Sequence, residues 1–187
     1  MVYPQVVDTF RSYWPGERAT PQAVVHLSLA EAYQGAQRTV EHAGRLVTLD
    51  LPPGVRSGAR VYLPRTGQER THVADYCGVI VHDQPPFQRS GDDLLLTWVV
   101  DVRSLFTGRA VAVPTLAEPA MLTIPAWTAP GTILRVPGRG MPVLGRPGAY
   151  GDLCVHLHVR LPAEANDLER RLIADLLKLQ HWHLDRA

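Results

Sequence analysis

Short apolar runs broken by turn-forming residues dominate residues 22–162, a pattern typical of β-strands. One such run covers residues 23–27 and ends at Ser28, a residue that can cap a helix. Glu31 stands three residues later and completes a capping-box pattern. Because Gly35 follows within two turns, this cap predicts a single short helix after the first strand.

Further strands follow this helix. Residues 39–42 and 45–51 alternate apolar and polar positions, and Ala43-Gly44 between them predicts a hairpin turn. After a proline-glycine loop at 52–54, residues 60–63 predict another short strand. The series therefore describes a small β-sandwich that carries one helix.

The same series of signals occurs twice, and the second copy lies about 73 residues after the first. The glycine that ends the short helix recurs. The apolar residue that precedes a proline also recurs, and so do the later strand and the glycines on either side of it. The matched positions are Gly35 and Gly108, Leu51 and Ile124, Gly58 and Gly131, Leu63 and Val136, and Gly67 and Gly140. This constant offset predicts a mostly β protein with two tandem, similar β-sandwich modules, over residues 22–82 and 83–162. Residues 1–21 precede them as a linker.

The apolar period changes to that of a helix in residues 163–187. The leucines of this segment recur at helical spacing on one face, at Leu168, Leu172, Leu176 and Leu179. A terminal amphipathic helix must bury such a stripe, either on its own module or against a second copy of the chain. We expect the second arrangement, a homodimer held by these leucines.

The charge balance and the cysteine content exclude several classes of protein. With 19 basic and 18 acidic residues the net charge is +1, so the chain carries no overall nucleic-acid signature. Its longest uncharged stretch, residues 119–134, is interrupted by Pro125 and Pro130 and is too short to span a membrane. Because no signal-like segment opens the chain, we expect a cytoplasmic protein. Cys77 and Cys154 form no CxxC motif, which predicts buried thiols and no structural zinc.

No combination of residues in the sequence supports catalysis or a cofactor. His156 and His158 share one face of a strand, but no nearby carboxylate or cysteine completes a set of metal ligands. No GxSxG motif occurs, and no glycine-rich loop opens a helix after a strand as phosphate-binding loops do. We therefore expect a non-enzymatic protein without a metal or another cofactor.

Six stretches of the sequence stand in an order and spacing that are specific as a set. They cover residues 29–35 (LAEAYQG), 51–58 (LPPGVRSG), 85–94 (PPFQRSGDDL), 113–116 (VPTL), 139–142 (RGMP) and 151–153 (GDL). Together they resemble the C-terminal peptide-binding region of DnaJ-type (heat-shock protein 40) co-chaperones. The resemblance covers residues 22–184. Residues 8–16 are similar to the phenylalanine-rich end of the family's glycine/phenylalanine linker.

Two parts of the family pattern have no counterpart in this sequence. The J domain with its His-Pro-Asp loop is one, and the zinc-finger insert is the other, so the chain is similar to the zinc-free class. Two interpretations stay open: the chain is part of a longer co-chaperone, or it is a protein that lacks a J domain.

The resemblance implies a co-chaperone that binds unfolded or misfolded polypeptide segments and presents them to a DnaK-type 70-kDa heat-shock chaperone. A client strand would add to an open sheet edge beside an apolar groove in residues 22–82. The implied groove residues are Ala23, Val25, Arg38, Val40, His42, Val61 and Leu63. Arg38 resembles a basic position that meets the acidic tail of the partner chaperone. For each apolar member, the alternative is a place in the sandwich core.

Two other functions stay open. Some zinc-free relatives bind curved DNA, and a basic patch for phosphate contacts would form here if four arginines converge. These are Arg56, Arg60, Arg65 and Arg70. A chain without a J domain would also serve as an adaptor that forms mixed dimers with full-length relatives through residues 166–187.

Overall fold

The computed structural model describes residues 23–42, 44–63, 76–160 and 166–179 of the 187-residue chain. The first of two similar units, module one (residues 23–82), consists of short strands and one short helix. Its described elements are β1 (Ala23–Ser28), α1 (Leu29–Gln34), β2 (Ala36–His42), β3 (Arg45–Leu51), β4 (Arg60–Tyr62) and β5 (Tyr76–His82).

Module two (residues 83–160) repeats this order after one additional strand. Its elements are β6 (Phe87–Ser90), β7 (Asp93–Asp101), α2 (Val102–Thr107), β8 (Arg109–Val113), β9 (Ala120–Ile124), β10 (Ile133–Val136) and β11 (Leu153–Arg160). A longer helix, α3 (Asp167–Leu179), follows. The prediction of a mostly β protein with short helices is confirmed.

Each module combines a mixed sheet with a separate hairpin. In module one the sheet order is β1-β5-β4, with β1 parallel to β5, and β2 pairs with β3. In module two the sheet order is β10-β11-β7-β6, with β11 parallel to β7, and β8 pairs with β9. The hairpin and the sheet pack their apolar faces together in each module.

The strand pairing of the two sheets reproduces the sequence repeat residue by residue. In the parallel ladders, Ala23 lies opposite Cys77 in module one, and the equivalent pair in module two is Leu96 opposite Val155. In the antiparallel ladders, Arg60 lies opposite Gly78, and the equivalent pair is Ile133 opposite His156. The strands β1 and β4 are about 73 residues away from their counterparts β7 and β10, whereas β5 is about 78 residues away from its counterpart β11. Module two therefore carries about five additional residues between its last two strands.

Both short helices begin at a capping residue, as predicted for the first of them at Ser28. The Ser28 hydroxyl accepts a hydrogen bond from the Glu31 N–H (3.3 Å), and the Glu31 carboxylate accepts one from the Ser28 N–H (2.8 Å). Asp101 caps α2 by accepting a hydrogen bond from the Ser104 N–H (2.6 Å). Each helix ends at a glycine with a positive φ, and at Gly108 a Cβ atom would also lie 2.7 Å from the backbone nitrogen of Ala126. Only glycine fits both conditions.

A continuous cluster of buried apolar side chains runs through both modules. Its fully buried members include Leu27, Leu29 and Val79 in module one, and Leu96 and Leu157 in module two. The thiols of Cys77 and Cys154 are free and buried. Among the described residues, every buried side-chain nitrogen or oxygen has a hydrogen-bond partner.

Arg89 joins the two modules. Its guanidinium group donates hydrogen bonds to the carbonyl oxygens of Val55 (2.5 Å) and Gly54 (2.9 Å) in module one, while its Nε donates to the carbonyl of Gly91 (2.8 Å). Beside it, Arg56 and Asp92 form a two-pronged ion pair across the same junction. These contacts hold the modules in one relative orientation.

Candidate functional site

Each strand of module one except β5 has an edge without a strand partner among the described residues, β1 and β2 included. β1 pairs only with β5, and β2 pairs only with β3. The arrangement differs in module two, where β7 occupies the position equivalent to β1 and pairs with both β11 and β6. An unpaired edge exposes backbone N–H and C=O groups that another polypeptide can bind. Among the described residues, β1 therefore has an open edge that β7 lacks; the stretch equivalent to β6 lies outside the described residues.

The register of the β2–β3 hairpin determines which backbone groups face the open edge of β2. The hairpin closes on His42 opposite Arg45 across a two-residue turn, so this pair exchanges hydrogen bonds. Hydrogen-bonded and non-hydrogen-bonded pairs alternate along an antiparallel ladder, so every second residue of β2 directs its backbone groups away from β3. These residues are Gln37, Thr39 and Glu41, whose side chains are also exposed.

The predicted groove residues lie mainly beneath these strands. Val25 and Leu63 are buried in the core, with 4% and 5% of their surface exposed, and His42 is buried at the end of β2. Ala23, Val40 and Val61 are half-buried and pack against the core. The apolar positions thus form the floor under the strands, and the surface along β2 comes from residues that sequence reasoning did not select.

Arg38 is half-buried on β2 and already has an acidic partner. Its guanidinium group forms an ion pair with the Glu31 carboxylate of α1. The same carboxylate accepts hydrogen bonds from the backbone N–H and the hydroxyl of Ser28. The hydrogen bond from the Ser28 backbone and the one from Arg38 lower the pKa of Glu31. Arg38 is therefore held by the residue that completes the capping box.

A pair of histidines links the outward side of β1 to the end of β5. The Nδ1 atom of His26 lies 2.8 Å from the Nε2 atom of His82, and the ring planes are within 11° of each other. The ring centres are 5.1 Å apart, which corresponds to the hydrogen-bond length plus one ring radius on each side. The rings are thus joined end to end by an N–H···N bond, and one of them must donate while the other accepts. Burial, and then the proximity of His82, lower the pKa of His26.

This pair was not selected from the sequence. The alternation along β1 places His26 on the outward face, but its partner comes from a strand about 56 residues later through a parallel ladder. Among the described residues, no group of three or more His, Cys, Asp or Glu side chains is placed to hold a metal ion.

A second concave surface lies on the outer face of the module two sheet. It is an open cleft of about 280 Å³, and its lining includes Pro85, Pro86, Leu95, Ile133, Cys154 and His156. The lining also includes Asp83, Gln88 and Thr97, so the cleft combines apolar side chains with one carboxylate and one imidazole. We treat it as the rival location for an apolar ligand.

Four arginines would form the DNA-binding patch, and the two that lie in the described part of the chain have partners within it. Arg56 is paired with Asp92, and the guanidinium group of Arg60 lies over the ring of Tyr76, 5.4 Å from its centre. Arg65 and Arg70 fall outside the described residues. These contacts do not favour phosphate binding by the described half of the patch.

The described side chains of α3 are all exposed. Leu168 and Leu172, from the predicted dimerisation stripe, have 66% and 60% of their surface exposed. The side chains of Leu176 and Leu179 lie outside the described residues, as does the whole of segment 1–21. No helix in the described ranges is long and apolar enough to cross a membrane.

Comparison with known proteins identifies similar chains. The family model described as the DnaJ C terminal domain matches residues 22–162. A chaperone protein DnaJ of Deinococcus proteolyticus is 33% identical over 156 residues, covering 83% of this chain and 49% of that protein. The chaperone protein DnaJ 2 of Thermus thermophilus is 33% identical over 152 residues, covering 81% of this chain and 53% of that protein. The chaperone protein DnaJ 2 of Mycolicibacterium paratuberculosis is 39% identical over 122 residues, covering 63% of this chain and 31% of that protein.

The chain thus spans about half the length of the first two relatives, or less in the third. The family model covers most of the chain and both modules. The members of this family are non-enzymatic co-chaperones, which agrees with the prediction made from the sequence. The chain belongs to the DnaJ C-terminal domain family.

Proposed function

We propose that the chain binds extended segments of unfolded polypeptides at the open edges of β1 and β2, and presents them to a DnaK-type 70-kDa heat-shock chaperone. The observation that carries this proposal is the open edge of β1 among the described residues, since the equivalent strand of module two, β7, is paired on both sides. β2 offers a second open edge, because it pairs with β3 alone in the described part of the chain. The names of the similar proteins, all chaperone proteins DnaJ, support it.

Strand addition suits a ligand that is defined by its unfolded state rather than by its sequence. The outward N–H and C=O groups of Gln37, Thr39 and Glu41 would pair with the main chain of any extended segment. Unfolded chains expose such backbone groups together with apolar side chains. Main-chain pairing supplies an affinity that does not depend on sequence, and the half-buried Val40 and Val61 would add a preference for apolar side chains.

The transfer step would use the charge next to the same edge. An acidic tail of the partner chaperone would bind Arg38 by replacing the Glu31 carboxylate. Such an exchange replaces one exposed ion pair by another, and exposed pairs contribute only about 0–1 kcal/mol. A weak, reversible contact of this kind fits a partner that must receive the client and leave.

A pair of matched proline variants tests the edge. Proline removes a backbone N–H and is tolerated at the edge of a sheet. Thr39→Pro removes an N–H that faces the open edge of β2, whereas Thr48→Pro removes one that faces the opposite edge of the same hairpin. The two threonines are cross-strand neighbours, with their hydroxyl oxygens 3.4 Å apart, so both variants perturb the same hairpin.

The assay is the fluorescence anisotropy of a labelled, extended apolar peptide titrated with the full chain. We expect Thr39→Pro to weaken binding by about tenfold, equivalent to about 1.4 kcal/mol, and Thr48→Pro to leave it within about twofold of the original chain. Equal losses in both variants, with unchanged circular dichroism spectra, would contradict binding at β2. Suppression of the aggregation of an unfolded client without ATP should follow the same ranking.

A further inference from the structure

Glu41 is the charged member of the three residues whose backbone groups face the open edge of β2. The other two, Gln37 and Thr39, are uncharged. Alternation along the strand places the three side chains on one face of the β2–β3 hairpin, the outer face, where all of them are exposed. A segment that pairs with β2 would therefore place every second side chain beside this row, which ends in a carboxylate.

The neighbours of Glu41 on the outer face are uncharged. Glu41 stands directly opposite Leu46, whose side chain is 78% exposed, and Thr48 is its diagonal neighbour on β3. Arg45 stands opposite His42, one position further along, so alternation directs it to the inner face of the hairpin. Among the described residues the Glu41 carboxylate has no ionic partner. It is thus available to a ligand that approaches along the open edge.

Two other charged side chains of the hairpin are already held. Arg38, on the inner face, forms its ion pair with Glu31 of α1. Asp50 shares the outer face with Glu41, but it accepts a hydrogen bond from the side-chain amide of Gln37 (2.7 Å). Asp50 also lies on β3, one strand further from the open edge of β2. Glu41 differs from both in having no partner and in standing at the edge itself.

The equivalent hairpin of module two shows that the fold does not need an acidic residue at this place. β8 and β9 pair in the same register as β2 and β3, at the offset of 73 residues. Glu41 corresponds to Pro114, which follows the end of β8. The outer face of this second hairpin carries small or uncharged residues, namely Ala110, Ala112, Met121 and Thr123. The carboxylate is therefore a feature of the hairpin with the open edge in module one.

We propose that Glu41 makes the open edge of β2 selective for extended segments with a basic residue, lysine or arginine, at one end of an alternating apolar stretch. This inference rests on the proposed function. In an added strand, the side chain opposite Glu41 lies on the same face, with the two Cβ atoms about 4.5–5.5 Å apart. A lysine or arginine side chain at that place reaches the carboxylate.

The same geometry defines the sequence pattern of the preferred segment. Its outward side chains stand opposite Gln37, Thr39 and Glu41, at every second position. The residues between them point to the inner face, where Val40 is half-buried against the core, so apolar side chains suit these positions. Glu41 lies next to the hairpin turn, and the basic residue therefore occupies the end of the segment beside that turn.

The preference should be modest, because the charge pair forms at an exposed position. Opposite charges directly across a ladder favour binding by about two- to fivefold, and like charges disfavour it by a similar factor. A preference of this size ranks unfolded segments without excluding those that lack a basic residue. Because salt shortens the range of the interaction from about 8 Å at 0.15 M to about 3 Å at 1 M, the preference should decrease at high salt.

Three labelled peptides test this inference by fluorescence anisotropy with the full chain. Each alternates apolar and polar residues, and they differ only at the last polar position, which carries Lys, Gln or Glu. Their C-termini are amidated, so that no terminal carboxylate competes for Arg38. We expect the Lys peptide to bind about two- to fivefold more tightly than the Gln peptide, and the Glu peptide to bind more weakly by a similar factor.

Two variants of the chain locate the source of the preference. Glu41→Gln should bring the affinities of the three peptides close to one another. Asp50→Asn is the matched control, because it removes the same charge from the same face of the hairpin, one strand further from the edge. This control variant keeps an acceptor for the Gln37 amide and should preserve both the order and the ratio of the affinities.

The outcomes separate this inference from the proposed function. An unchanged ratio of affinities in Glu41→Gln would overturn the inference. A gain in affinity for all three peptides alike would also overturn it, since Glu41 would then only protect the edge from pairing, as charged residues on edge strands do. Peptides that bind the original chain without a charge preference contradict this inference alone, whereas the absence of any binding refutes the proposed function and this inference with it.

Discussion

Arg89 offers a direct test of how the two modules are held together. The substitution Arg89→Met keeps an unbranched side chain in place of the aliphatic part of arginine and removes its donors. Three carbonyl oxygens lose their partner, and two of them, those of Gly54 and Val55, belong to the opposite module. The Arg89 side chain is 9% exposed, so water cannot easily replace these bonds.

The size of the effect follows from these contacts. A hydrogen bond from a charged donor contributes about 1.5–3 kcal/mol, and a buried acceptor left without a partner costs about 1–3 kcal/mol. Removing the buried charge recovers part of its desolvation cost, so we expect a loss of about 3–5 kcal/mol of unfolding free energy. For a chain of this size each kcal/mol lowers the Tm by about 2–4 °C, which gives a decrease of about 10 °C.

The assay is thermal unfolding followed by circular dichroism, with Arg56→Met as the control. Arg56 forms its ion pair at the same junction, but its side chain is 53% exposed, so its loss should cost about 1 kcal/mol or less. If Arg89→Met melts within about 2 °C of the original chain, the junction is not held in the way described above.

Three further predictions concern local features of the structure. Folding lowers the pKa of His26, so the free energy of unfolding should be highest above the unfolded pKa of about 6.5 and should fall as the pH drops below it. His26→Gln should flatten this dependence of the free energy of unfolding on pH, measured by urea titration between about pH 5 and 8. Equal slopes in both proteins would refute the role of the imidazole pair. Glu31→Gln should keep the helix cap and release Arg38 from its ion pair. The affinity of the chain for a peptide with an acidic C-terminus, measured by calorimetry, should then rise by about two- to fivefold. An unchanged affinity would show that Glu31 does not compete with the peptide for Arg38. Gly108→Ala should lower the free energy of unfolding by about 2–4 kcal/mol in chemical denaturation, because it adds a backbone clash to a left-handed φ. Gly138 has a similar φ but open space around it, so Gly138→Ala should lower it by about 1 kcal/mol. Similar losses in both variants would refute the role of the close approach at Gly108.

The features that were predictable from the sequence are those set by neighbouring residues. The capping box at Ser28 and the glycine that ends its helix depend on contacts within a single turn, so their pattern is visible in a short stretch. The repeat was visible because both modules place the same turn residues at one spacing. The additional residues before β11 were not predicted, because they lie where the two copies lose their sequence similarity.

The features that escaped prediction depend on residues far apart in the chain. The imidazole pair of His26 and His82 needs the parallel register of β1 and β5, and the contacts of Arg89 need the relative placement of both modules. The groove residues implied by the resemblance stay a prediction, and most of them stand at alternating apolar positions, which also face the core, as at Val25. An open edge is a property of backbone groups, and no side-chain pattern marks it.

Residue-resolved hydrogen exchange of the full chain, with and without an excess of an apolar extended peptide, tests the central claim most directly. The N–H groups of Gln37, Thr39 and Glu41 face the open edge of β2, so they should exchange rapidly in the free chain. We expect the peptide to slow their exchange at least tenfold, while Arg38 and Val40, already paired with β3, change little. Unchanged exchange at the three outward residues, with protection instead at Leu95 and Cys154 in the cleft of module two, would contradict strand addition in module one.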